Sequence, residues 1–166
     1  MKTATIILNQ IQINQKIKRI AYQIYESNSL EKEVIIAGIE GNGIYFAEQL
    51  AKSLKQISSL NIILCKVFID KKKPLNPLST DIDVDKYKNK AIVLVDDVLN
   101  SGTTLMYGVK HFLEVPLKRF KTAVLVNRNH KKYPIKADFK GISLSTSIKE
   151  HVEVVFDKKN SKAYLM

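Results

Sequence analysis

Ala91-Ile-Val-Leu-Val-Asp-Asp-Val-Leu-Asn-Ser-Gly-Thr-Thr-Leu105 is the stretch on which the fold turns. The apolar, largely β-branched run Ala91 to Val95 predicts a buried strand. It ends on two adjacent carboxylates, Asp96 and Asp97. Val98-Leu99 and a hydroxyl-rich turn, Asn100-Ser-Gly-Thr-Thr104, then lead into a helix from about Ser101 to Leu113. The N–H groups of such a turn, with the positive end of the helix behind them, favour an anion such as phosphate. Paired acids suit hydroxyl groups and the neighbourhood of a metal ion. A sugar phosphate satisfies both halves at once.

Working outward, the same strand-turn-helix grammar recurs. Glu33 to Ile39 reads as a buried strand, Glu40-Gly-Asn-Gly43 as a glycine turn, and Ile44 to Leu54 as a helix. Before it, Thr5 to Leu8 forms a short strand. Asn9 or Asn14 then caps a helix whose apolar face is Ile13, Ile17, Ile20, Ala21, Ile24 and Tyr25. Asn61 to Ile69 is a strand. Asp70 to Asp85, with its lysine run, prolines and alternating acids, reads as an exposed excursion. Lys121 to Val126 is a strand leading into the basic loop Asn127 to Pro134. Phe139 to Ser143 and Val152 to Phe156 are further strands, and a polar tail opens at Asp157. Strands alternating with helices imply an α/β fold with a mostly parallel central sheet flanked by helices. In such sheets ligands gather at the carboxyl ends of the strands, where the Glu40, Lys71, Asp96 and Asn127 segments would meet.

The totals set bounds. A chain of 166 residues, 45% hydrophobic and 26% charged, suits one globular domain spanning 1–166. No apolar run reaches the roughly 20 residues of a spanning helix. Met1-Lys-Thr-Ala-Thr5 leads into alternating residues and not into a secretory apolar segment. The single cysteine, Cys65, excludes an internal disulfide framework and reads as a buried strand residue. These features imply a cytoplasmic protein with no membrane partner. The net charge of +11 invites a polyanion or reflects a lysine-rich surface. Arginine occurs only at Arg19, Arg119 and Arg128, which disfavours forked base and phosphate contacts.

The Asp96 to Thr104 turn resembles the phosphoribosyl-pyrophosphate motif of type I phosphoribosyltransferases. Two further stretches resemble the bifunctional pyrimidine-operon attenuator/uracil phosphoribosyltransferases within that family. Ala123-Val-Leu-Val-Asn-Arg-Asn-His-Lys-Lys-Tyr-Pro-Ile-Lys-Ala-Asp-Phe139 is similar to their Asp-Arg-Gly-His-Arg-Glu-Leu-Pro-Ile-Arg-Ala-Asp-Tyr region. Arg19-Ile-Ala and Gly43-Ile-Tyr-Phe-Ala are similar to their N-terminal half. The resemblance implies the type I phosphoribosyltransferase fold with a small hood, and transfer of ribose 5-phosphate from phosphoribosyl pyrophosphate to a nucleobase, uracil in that subfamily. Asp96 and Asp97 would hold the ribose hydroxyls. Asn100, Ser101, Gly102, Thr103 and Thr104 would cradle the 5′-phosphate, and Gly41, Asn42, Gly43 and Lys72 would serve the pyrophosphate. Arg128 would stand on the base side. Mg²⁺ would be held through substrate and water, with no direct protein ligand. The resemblance also implies a homodimer or larger oligomer, and RNA contacts from Arg19, His130, Lys131 and Lys136. The alternative is a nucleotide-sensing RNA-binding regulator of pyrimidine genes with little catalysis; a third reading takes a purine base.

The chain departs from the family in places. Glu40-Gly-Asn-Gly43 replaces the pyrophosphate loop Lys-Thr-Arg-Gly, so a cation and a guanidinium become a carboxylate and an amide. Glu40 then either repels pyrophosphate unless a metal intervenes or faces solvent. Ile69-Asp-Lys-Lys-Lys73 stands where the family's flexible loop has Tyr-Arg-Asp-Asp; its lysines either close over pyrophosphate or form a solvated loop. Asn127 and Asn129 replace an acid and a glycine. Arg128 either packs over the base or reaches the pyrophosphate, and His130 either lines an RNA face or sits on the surface. On the first helix Lys18 and Tyr22 replace a threonine and a histidine.

Overall fold

A computed structural model describes residues 3–128 and 130–166; Asn129, read above in place of a family glycine, lies outside the described residues with Met1 and Lys2. The described elements are β1 (Thr5–Leu8), α1 (Gln10–Ser27), β2 (Glu33–Ile39), α2 (Asn42–Ile57), β3 (Asn61–Phe68), β4 (Ser79–Thr80) and α3 (Val84–Tyr87). They continue as β5 (Ala91–Leu99), α4 (Thr103–Phe112), β6 (Arg119–Arg128), β7 (Phe139–Leu144), β8 (Val152–Val155) and β9 (Lys162–Leu165). The central sheet has the order β4-β3-β2-β5-β6-β7 and is parallel except for the β3–β4 pair.

Both faces of this sheet are covered, which is why β2 and β5 read as unbroken apolar runs. Period-2 alternation sends Val34, Ile36, Val93 and Val95 to one face, against Ile20, Ile24, Phe46 and Leu50 of α1 and α2. Ile35, Ala37, Ile92 and Leu94 face the other way, against Leu105 and Phe112 of α4. Asn9 caps α1: its side chain accepts the Gln12 N–H, and the Gln12 side chain accepts the Asn9 N–H in return. Cys65 is buried in β3, and burial pushes its thiol up to about 12, which leaves it inert.

Two segments differ from the sequence reading. The polar tail contains β9, which pairs antiparallel with both β1 and β8 to form a three-stranded hood, β1-β9-β8. Four residues with one buried apolar side chain, Ala163, are too short a pattern to read as a strand. The excursion after β3 is only partly exposed: β4 pairs with β3, and Tyr87 of α3 is buried edge-on against Phe112 at 5.0 Å. Phe156 stacks on Tyr45 of α2 at 4.7 Å, and the Ser161 N–H donates to Gln10 Oε1 at 2.6 Å, so the hood is docked on the first two helices.

Gly38 brings α2 close to β2. A Cβ there would lie 2.7 Å from the Gly43 carbonyl oxygen and from Ile44 Cα, both backbone atoms that cannot swing away. Gly38→Ala is expected to cost about 1–3 kcal/mol as overpacking. At about 2–4 °C per kcal/mol, that lowers the melting temperature by several degrees. An unchanged melting curve would show that α2 is not held this tightly.

Candidate active site

The carboxyl ends of β2, β3, β5 and β6 converge as the alternation implies. Beside them lies a cleft of about 320 Å³, lined by Asn42, Lys71, Asp96 to Leu105, and Val152, Glu153 and Val154 of β8. It joins the acids, the phosphate-friendly turn and the hood.

Asp96 is the buried member of the acid pair, 3% exposed, with a side-chain oxygen that accepts the Asp97 N–H at 2.9 Å. Burial pushes its carboxyl well above the usual carboxylate range. The neighbouring Asp97 charge adds to the shift, and Lys71 pulls partly against it. Asp97 is half-buried, and its Oδ2 accepts from Asn42 Nδ2 at 2.9 Å. The same Asn42 nitrogen donates to the Val154 carbonyl of the hood at 2.7 Å.

Gly102 adopts a left-handed conformation (φ 84°), and a Cβ there would lie 2.4 Å from Ile135 Cγ2, so both dihedral and space require glycine. As the cap of α4 it has no side chain to satisfy the first turn. The Ser101 hydroxyl lies 2.8 Å from that of Thr103 and accepts the Thr103 N–H at 3.3 Å. Early N–H groups and hydroxyls of this kind are chemistry that suits an anion. Ser101 and Gly102 form the turn that delays the helix start to Thr103. Behind them the Ser101 carbonyl accepts the N–H groups of Lys132 (2.8 Å) and Tyr133 (3.1 Å), which ties the basic loop to the turn.

The pyrophosphate residues named from sequence divide. Asn42 lines the cleft; Gly41 and Gly43 do not, although a Cβ on Gly43 would lie 3.1 Å from Asp96 Oδ1. Gly41, at φ 88°, makes the turn that starts α2. Lys72 is exposed and does not line the cleft. Its N–H and that of Lys73 donate to Asp70 Oδ1 at 2.9 and 3.0 Å, and the lysine delivered to the cleft is Lys71. Glu40 is exposed, in keeping with the solvent-facing alternative.

Arg128 is buried, 6% exposed, at the end of β6. Its guanidinium donates to Thr146 Oγ1 (2.6 Å), the Ser147 carbonyl (3.0 Å) and Asn100 Oδ1 (3.4 Å). It braces the loop carrying Asn100 and does not enter the cleft itself. His130 Nε2 donates to the Thr146 carbonyl. Arg19 is committed to the Lys140 (3.0 Å) and Gly141 (2.7 Å) carbonyls and to Gln23, while Lys131 and Lys136 are exposed. Sequence reading missed the Asn42 side chain, Lys71 as the lysine in the cleft, and the β8 wall. The hood strand carries no motif that would have announced it.

The chain matches the phosphoribosyl transferase domain over residues 3–159. It belongs to the phosphoribosyltransferase family. Within that family it groups with proteins named bifunctional protein PyrR. The one from Streptococcus gordonii is 33% identical over 159 residues, covering 93% of this chain and 91% of the relative. The one from Streptococcus mutans is 33% identical over 169 residues, covering 96% and 94%. Among solved structures, the hypoxanthine phosphoribosyltransferase of Trypanosoma cruzi superposes with a TM-score of 0.76 over 89% of this chain and 84% of that one, at 17% identity. That likeness is one of fold: a mostly parallel sheet with flanking helices and a hood. The chain is a phosphoribosyltransferase.

The raised Asp96 carboxyl has a consequence for stability. Its folded form keeps a proton that the unfolded chain has already released, so stability falls as pH rises from the usual carboxylate range through the folded value. Asp96→Asn is expected to remove that slope and to raise the melting temperature of the ligand-free protein at neutral pH. Melting curves collected across pH test this; a variant with the parent's slope would show that Asp96 is not its source.

Proposed function

We propose that the protein transfers ribose 5-phosphate from phosphoribosyl pyrophosphate to uracil, giving uridine monophosphate and pyrophosphate, with residues 1–166 acting as one domain. The observation that carries this reading is the single cleft that places two carboxylates, an uncapped helix start and a hood strand within one small volume. The choice of uracil rests on likeness of the Asn127 to Phe139 region to the attenuator subfamily. Asp96 and Asp97 hold the ribose 2′- and 3′-hydroxyls, directly or through metal-bound water. The N–H groups of the Asn100 to Thr104 turn, with the Ser101, Thr103 and Thr104 hydroxyls, hold the 5′-phosphate. Bond breaking at the anomeric carbon develops positive charge on the sugar. Asp97, already oriented, stabilises that charge without moving. Lys71 meets the departing pyrophosphate, and Arg128 fixes the base side of the turn through Asn100.

The donor set fits Mg²⁺. It is all oxygen, and two adjacent carboxylates of which one is buried gain from a nearby cation. Among the described residues no cluster of three metal-ligating side chains exists, and in this reading the metal would be held mainly through substrate and water. When bound, Mg²⁺ neutralises pyrophosphate charge.

The second reading, a nucleotide-sensing RNA-binding regulator, draws on Glu40 and Asn42 in the pyrophosphate loop and on a lysine-rich surface. RNA retention measured against salt discriminates: weak, sequence-blind binding that disappears at moderate salt counts against a dedicated regulator. A homodimer or larger assembly is part of the proposal, supported by the apolar groove of Leu75, Met106, Leu113 and Tyr133 on the outer side of α4; sedimentation gives the mass. Among the described residues no helix is long and apolar enough to cross a membrane.

Incubation with Mg²⁺, phosphoribosyl pyrophosphate and each nucleobase in turn is expected to yield product with uracil; absence of product with every base sinks the enzyme reading. Asp97→Asn is expected to lower kcat/KM by roughly 10²–10³, the scale of losing one preorganised electrostatic group. Lys71→Ala is expected to raise the KM for phosphoribosyl pyrophosphate by roughly tenfold, the loss of one charge-assisted contact. Lys72→Ala should stay within about twofold, as an exposed residue outside the cleft does. Equal effects of the two lysine changes would remove Lys71 from its assigned role.

A further inference from the structure

Asn42 occupies the position of the arginine in the family's Lys-Thr-Arg-Gly pyrophosphate loop, and it lines the cleft beside Asp97. It turns inward and uses a single amide nitrogen for two bonds, one to Asp97 Oδ2 at 2.9 Å and one to the Val154 carbonyl at 2.7 Å. Both partners are acceptors, so the orientation of the amide is settled by chemistry: the nitrogen, not the oxygen, lies there. Each of its two hydrogens has one receiver. Three separate pieces of chain thereby meet at one side chain: the start of α2, the acid pair at the end of β5, and the wall of the hood in β8.

We propose that Asn42 is a positioning residue, a clamp that fixes the Asp97 carboxylate for the ribose and holds the hood strand to it. The proposal rests on the phosphoribosyltransferase reading and deepens it at the same site. Asp97 has a buried acid as its chain neighbour, and a neutral donor on one of its oxygens holds it in place without consuming its charge. An arginine here would neutralise that charge instead. An alanine would free Asp97 to rotate and would leave the Val154 carbonyl, in a buried residue, without this donor.

The clamp acts on the ribose half of any ligand, whereas a pyrophosphate contact acts only on ligands that carry pyrophosphate. This difference gives the test. Affinities of wild type and Asn42→Ala are measured by calorimetry for phosphoribosyl pyrophosphate, uridine monophosphate and inorganic pyrophosphate, all with Mg²⁺. The clamp is expected to weaken the two ribose-bearing ligands by a similar factor, roughly tenfold, the scale of a hydrogen bond to a charged group. Inorganic pyrophosphate should be left within about twofold, since it has no ribose to be positioned. Asn42→Asp provides a second, nearly isosteric variant. Its carboxylate repels Asp97, so the affinity for uridine monophosphate should recover as pH falls and the new acid is protonated, a pH dependence that loss of packing alone would not produce. An effect of Asn42→Ala confined to the two pyrophosphate-bearing ligands would overturn the clamp and restore the loop to a pyrophosphate role. So would an Asn42→Asp protein whose binding follows the wild-type pH profile. Wild-type protein that binds neither phosphoribosyl pyrophosphate nor uridine monophosphate removes the underlying reading, and the clamp with it. Wild type that binds both while Asn42→Ala binds them equally well removes the clamp alone.

Discussion

Asp96 is a carboxylate with almost no access to water and another carboxylate as its chain neighbour, and the cleft is arranged around the cost of that pair. Burial keeps a proton on such an acid unless hydrogen bonds and an opposing cation favour its charged form. The Asp97 N–H supplies the bond, and Lys71 supplies part of the opposing charge. An acid held above its ordinary range in the free protein is one that gains when a hydroxyl-rich, metal-bound substrate arrives. The depth of β5 in the sheet, the absence of a side chain at Gly43 and the packing of α4 all serve to keep this pair where it is.

Much of this architecture was legible in the sequence because it depends on local pattern. The β5 run, the turn and α4 follow from a change of period from 2 to 3.6, and of the two caps open for α1 the structure selects Asn9, through a capping box with Gln12. What was not legible depended on position in space. Lys71, Lys72 and Lys73 are equivalent in a sequence. Asp70 distinguishes them by accepting the N–H groups of the last two, which turns the chain and leaves the first to face the acids. Strand β9 is recognisable only through its partners, β1 and β8, which lie at opposite ends of the chain. The third wall of the cleft was hidden for the same reason.

The high positive charge takes a different meaning once the arginines are located. Arg19 is spent on two carbonyls of β7 and Arg128 on the loop at Thr146 to Ser147. Arg119 joins the Ser27 carbonyl and Asn28 to Glu31. All three therefore act as internal braces between elements distant in sequence. The remaining surface cations are lysines, which attract a polyanion as point charges but offer no forked donor for a base edge. Such a surface favours salt-sensitive contact with any polyanion over recognition of one sequence.

The turn after β5 and the loop after β2 are constrained to different degrees for a physical reason. The phosphate turn is locked by Gly102 against Ile135 and by the basic loop bonded to the Ser101 carbonyl, so a change there would disturb packing as well as binding. The Glu40 to Gly43 loop has one glycine that opens into space, where a Cβ meets nothing, and an exposed carboxylate. Its outer side is free to vary, and its inner side has been taken over by Asn42. The loop thus ties Asp97 to the hood through the two bonds of Asn42. In the proposed reading the pyrophosphate is met by Lys71, which lines the cleft, and by the metal it carries. In that reading those groups act on the leaving group while the fixed acids act on the sugar, which would put ribose recognition in the buried core and pyrophosphate departure at the surface loop.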